Sequence, residues 1–228
     1  NTYLIRPDNT PETARFPVID AHNHLWANWE GLARVAEVMD QTGVVSYCDL
    51  TANLTVSWGG GGYILGQGDI DEFFRTTAAF PGRFYGFTGA TFGQSADVPL
   101  FEDAAEFVER TIELMRSHVQ RGARGLKVLK ELGLIWKDAE GELISPDEPD
   151  LYPIWEEAGK LGVPVLIHQA DPIGFFDPAT PENEHCDSLQ KYPDWSFADR
   201  DRFPSHAELL RRLENLIAHH PQTTFLLP

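Results

Sequence analysis

Only two cysteines, Cys48 and Cys186, occur in the 228 residues. Two thiols so far apart in sequence make neither a disulfide framework nor a zinc knuckle, so they read as unpaired and partly buried. Basic residues are also scarce: 18 Lys and Arg stand against 35 Asp and Glu, a formal net charge of -17. Such a chain repels nucleic acid and anionic membrane surfaces, which leaves a small-molecule substrate as the better partner. No apolar run approaches the ~20 residues that span a bilayer, and the opening NTYLIRPDNTPETARFP lacks the apolar centre of a signal peptide. The first residue is Asn1 and not Met, so a segment upstream is expected and the compartment stays open. Missing too are the G-x-G-x-x-G and G-x-x-x-x-G-K-[ST] phosphate loops, which weighs against a nucleotide-binding doubly wound sheet.

What remains is a chain with 42% hydrophobic residues, enough for one sizeable core. Beyond an N-terminal arm over residues 1–16, residues 17–228 alternate apolar runs with helical periodicity. PVIDA (Pro17 to Ala21) precedes a helix over 30–41. VVSYCDL (Val44 to Leu50) precedes one over 70–80, and RFYGFTG (Arg83 to Gly89) one over 102–121. ARGLKVL (Ala123 to Leu129) precedes 152–161, and VPVLIH (Val163 to His168) precedes 207–219. TTFLL (Thr223 to Leu227) opens a sixth strand. Gly43, Gly122 and Gly162 fall just past three of the helices, where a left-handed cap wants glycine. Strands that alternate with helices form parallel sheets, and the fold class expected is α/β, a TIM-type (β/α)₈ barrel incomplete in this chain. Burial is expected to alternate along PVIDAHNH.

Long connections follow strand two (51–69), strand four (130–151) and strand five (169–205), and in such a barrel these loops build the active site. The GGGG run, Gly59 to Gly62, reads as a flexible loop. Two histidines, His22 and His24, close the first strand one residue apart. Side chains alternate along a strand, so both rings face one side and suit a shared zinc, which takes nitrogen ligands at ~2.0–2.1 Å. His168 ends the fifth strand and can meet them across the mouth as a third ligand. Lys127, inside GLKVL, either faces the interior, where it would meet a substrate carboxylate or a metal, or reaches solvent through a misplaced strand boundary. Asp171, in HQADP, would orient an imidazole, meet a metal-bound water or cap the turn before Pro172, the last being the commonest role. The aromatics between Gly174 and Phe203 suit a lid over a pocket, or packing of that loop against its own barrel. His206, His219 and His220, on or at the end of the last helix, are set aside, with surface roles or helix C-terminal charge effects as the expectation.

With these residues the chain resembles the metal-dependent amidohydrolases, on His22 and His24 in VIDAHNHL, the run FPGRFYGF, Lys127 in GARGLKV and His168 in PVLIHQADP. The resemblance implies a divalent metal, zinc as a rule, held by His22, His24 and His168. It also implies a strand-six histidine and a strand-eight aspartate past Pro228, so the 228 residues alone are expected to be nearly inactive. The reaction expected is hydrolysis by a metal-activated water on a small carboxylate-bearing substrate, with Lys127 neutralising the carboxylate. Decarboxylation on the same site is the alternative, then metal-free lactone hydrolysis, since some members work without metal. An inactive or non-catalytic subunit is the reading from another class. Its unpaired strand edges would favour self-association into a homo-oligomer.

Overall fold

The computed structural model describes residues 12–59, 62–95, 98–169 and 172–227. Asp171 therefore lies outside the described residues. In chain order the elements are β1 (Val18–Asn23), α1 (Leu32–Thr42), β2 (Val44–Asp49), β3 (Leu54–Gly59), β4 (Gly62–Gln67), α2 (Ile70–Thr77) and β5 (Phe84–Gly86). They continue with α3 (Ala104–Arg121), β6 (Leu126–Val128), α4 (Tyr152–Leu161), β7 (Val165–Ile167), α5 (Cys186–Lys191), α6 (His206–His219) and β8 (Phe225–Leu226). Three helices start where a side chain accepts an otherwise orphaned amide: Asp69 from Asp71, Asp103 from Glu106 and Ser205 from Glu208. Two stop at left-handed glycines, Gly43 at φ 80° and Gly162 at φ 68°, the backbone that glycine enters most cheaply.

Parallel pairing joins β1 to β2 and β2 to β5 in one sheet, and β6 to β7 and β7 to β8 in another. Among the described residues the two sheets are joined at the parallel bridge Thr88 to Leu126, with backbone hydrogen bonds from Arg124 N to Gly86 O, Thr88 N to Gly125 O and Lys127 N to Thr88 O. Leaving aside β3 and β4, successive strands are neighbours, as β-α units joined by helical crossovers should be. The architecture is α/β with parallel strands, and the described residues do not close a barrel.

Two expectations need correction. The connection over 51–69 is not plain loop: β3 and β4 form an antiparallel hairpin from Leu54↔Gln67 to Gly59↔Gly62, while Gly60 and Gly61 of the glycine run lie outside the described residues. LTVSW and YILG are β-prone runs flanking the glycines, and the eye drawn to GGGG misses them. Nor does burial alternate along β1, where Val18 and Ile19 are both exposed. Among the described residues β1 has a neighbour on one side only, so no second strand closes over it.

The inner strands do alternate. Leu126 and Val128 of β6, with Val165 and Ile167 of β7, pack against Met115, Trp155 and Leu213 from the covering helices. Lys127 and Leu166, between them in sequence and aligned in register, take the opposite face. There Leu166 meets Leu50 and Phe87. Across the helical layer the Arg116 Nε to Glu157 Oε1 ion pair, at 2.6 Å, ties α3 to α4. Glu157 is buried while Arg116 is half in solvent, so removing the arginine strands a desolvated carboxylate. Arg116→Ala is expected to lower stability, though by less than loss of a fully buried partner would, because water and Lys160 at 3.9 Å partly compensate. Urea unfolding measures this, and an unchanged midpoint would show that the pair contributes nothing.

Candidate active site

The C-terminal ends of β1, β6 and β7 bring together four side chains that lie 146 positions apart at the extremes of the sequence, since 168 minus 22 is 146. His22 stands in the middle: its ring centroid is 5.5 Å from that of His24 and 5.7 Å from that of His168. Lys127 is fully buried beside them, and its Nζ has no hydrogen-bond partner among the described residues. The alternation of β6 decides its direction. Its two neighbours are committed to the helices, so the lysine has to face the other side, where the histidines are.

Electrostatics follow from this crowding. Burial, then the charges of Lys127, His22 and His168, pull the His24 pKa down to about 3, so its ring is neutral at physiological pH. Burial likewise lowers the Lys127 amine to about 7, against an opposing pull from the buried Glu131. Neutral imidazole is the form that binds metal. Two imidazoles on one tetrahedral zinc have centroids roughly 5 Å apart, so the observed spacings fit a shared ion. The Nδ1 of His24, buried without a hydrogen-bond partner, is a donor of the required kind. No group of three such side chains is already gathered tightly enough to hold an ion among the described residues.

The sequence model of a family described as Amidohydrolase matches residues 19–228. The chain belongs to the amidohydrolase family. No curated protein matches it in sequence. Among solved structures, a Staphylococcus aureus protein assigned as an amidohydrolase superposes with a TM-score of 0.50 at 12% identity, covering 93% of this chain and 65% of that one. A 2,6-dihydroxybenzoate decarboxylase, solved with 2,6-dihydroxybenzoate, gives 0.44 at 19% identity over 85% of this chain and 54% of that one. A dihydroxybenzoic acid decarboxylase from Polaromonas, solved with manganese and the inhibitor 2-nitroresorcinol, gives 0.48 at 16% identity over 93% and 63%. The amidohydrolase chain thus spans about half to two thirds of these structures, and the likeness speaks for the fold.

The rest of the amidohydrolase mouth is assembled from long connections. Phe175, Phe176, Leu189 and Phe197 form a small core with Leu134 and Leu209. Lys130 lies 5.3 Å from the Phe175 ring centroid and 5.8 Å from that of Phe197. The aromatic loop therefore packs on its own scaffold, the plainer of the two readings. Sequence reasoning passed over Asp49, Thr51 and Trp26, which surround the end of β1. The pattern DLT, an aspartate at a strand end with a threonine two residues on, was the available signal, because such side chains bond nearby backbone amides.

Proposed function

We propose that the full-length protein, on a complete (β/α)₈ barrel, is a metal-dependent decarboxylase of a small carboxylate-bearing substrate. The observation that carries this is a buried lysine amine without a hydrogen-bond partner, set beside three histidine rings at the strand ends. His22, His24 and His168 would hold a divalent cation, which stabilises negative charge on the substrate when bound. Lys127 receives the substrate's acidic group in a site that excludes water. Breaking the carbon–carboxylate bond releases carbon dioxide and leaves the electron pair on carbon. A proton must then reach that carbon, and an amine with a pKa near neutrality is a matched donor. Lys127 Nζ gives the proton, and solvent restores it on product release. Hydrolysis remains the second reading because the family is described by that activity. It would use the same histidines with a water as nucleophile.

The test strips the full-length protein with a chelator, reloads it with zinc or manganese, and offers dihydroxybenzoates, other small carboxylic acids, lactones and amides. Metal-dependent carbon dioxide release is expected. Turnover of lactones or amides without carbon dioxide would replace this reading by hydrolysis, and undiminished activity after chelation would remove the metal from it.

A further inference from the structure

β2 ends on a buried carboxylate that has no part in the proposed reaction. Asp49 is fully buried and pairs in register with Asn23, the last residue of β1. Its Oδ1 accepts from Leu25 N at 3.0 Å, from Thr51 N at 3.0 Å and from Thr51 Oγ1 at 2.8 Å. The Thr51 hydroxyl in turn accepts from Trp26 N at 3.1 Å. The two backbone amides that follow His24 are therefore both held by one Asp–Thr bracket reaching across from the next strand.

The backbone just beyond is unusual. Trp26 and Ala27 have φ of 52° and 57°, in the left-handed region that residues with a Cβ rarely enter. Such conformations persist only where the surroundings over-determine them. Here two side-chain acceptors on β2 fix the amides of Leu25 and Trp26, and the turn has little freedom left. Its result is specific: the Trp26 indole lies flat on the His24 imidazole, with centroids 5.0 Å apart and planes within 15°. His22 meets the same imidazole edge-on. A ring stacked on an indole and flanked by a second imidazole has its orientation set before any ligand arrives. Fixing a ligand's orientation in this way is the usual work of groups one step removed from a metal.

We infer that Asp49 and Thr51 are positioning residues whose bracket holds the left-handed Trp26–Ala27 turn, and through it the Trp26 stack that orients His24 for a divalent cation. The inference deepens the proposed function, since it takes His24 as a metal ligand, but the stack can be read without metal. In the metal-free full-length protein, the indole face should shift the His24 ring protons upfield in the NMR spectrum, assigned by His24→Gln. Thr51→Val keeps the shape of the side chain and removes the acceptor. It should abolish that shift and weaken manganese binding, measured by titration calorimetry, by roughly 10–100-fold. Thr51→Ser and Asp49→Asn, which keep an oxygen at each point of the bracket, should preserve both readouts. The inference is overturned if Thr51→Val and Asp49→Ala leave the shift in place, or if the shift vanishes while manganese affinity stays the same. Should Asp49→Ala fail to fold, the two Thr51 variants decide the matter alone. If the parent protein binds neither manganese nor zinc, the metal reading fails, and the ring shift still decides whether the bracket holds the stack.

Discussion

His22→Ala in the full-length protein is expected to lower turnover by about 10³-fold or more and to empty the metal site. The reason is its central place: its ring lies 5.5 Å from that of His24 and 5.7 Å from that of His168, so its loss removes the ring between them. A bound cation supplies several kcal/mol of transition-state stabilisation, which sets that scale. His168→Ala should act almost as strongly. His219→Ala, on an exposed face of α6, should stay within about twofold of the parent. Metal content by atomic absorption, together with turnover on whichever substrate proves active, measures all three. Parental rates in both His22→Ala and His168→Ala would defeat the metal mechanism.

Lys127→Met should produce opposite changes in stability and activity. The amine is fully buried, and burial lowers its pKa to about 7, so at neutral pH and below the folded state carries the cost of a desolvated ammonium. The unfolded chain keeps an ordinary lysine near 10.4 and binds more protons between pH ~7 and ~10.4. Parental stability should therefore rise with pH across that window, as the unfolded state loses its advantage. Methionine removes the charge and keeps the volume. In metal-free protein the substitution should stabilise by about 2–3 kcal/mol near pH 7, with the gain fading toward pH 10. That is less than the full pKa shift would give, because Glu131 then loses its attraction to the lysine. Activity should fall by roughly 10²–10⁴-fold, the usual share of a proton-transfer group. Denaturation at pH 6, 7 and 10 checks the first half. A variant less stable than the parent at every pH would mean that Lys127 makes favourable contacts which outweigh its desolvation.

Much of this molecule was legible in the sequence because its signals are local. Apolar runs at VVSYCDL and VPVLIH, separated by helical periodicity and closed by Gly43 and Gly162, predict the strand and helix order that the structure shows. The spacing of His22 and His24 predicts two rings side by side. What escaped depends on pairings between distant residues. Whether Lys127 faces inward or reaches solvent turns on the packing of Leu126 and Val128 against helices as distant in sequence as α6. The β3–β4 hairpin was hidden by its glycines. The DLT pattern signals a local turn but not what it reaches, because the amides that Asp49 and Thr51 hold, those of Leu25 and Trp26, belong to another strand's exit. The nature of the reaction was not legible for a different reason: one set of ligands serves hydrolysis and decarboxylation alike, and the choice lies in the substrate's own bonds.

The seam between the two sheets gives this site a mechanical character. His22 and His24 ride on one sheet, Lys127 and His168 on the other, and the strands meet through the Thr88↔Leu126 bridge with Lys127 N donating to Thr88 O at 2.7 Å. Cooperative units of a protein open with different free energies, and the junction between two sheets is a place where one unit can open against its neighbour. A ligand held from both sides would act as a staple across that junction. It would draw its stabilisation from suppressing the opening, and would slow hydrogen exchange at the Thr88 and Lys127 amides more than at amides deep within either half.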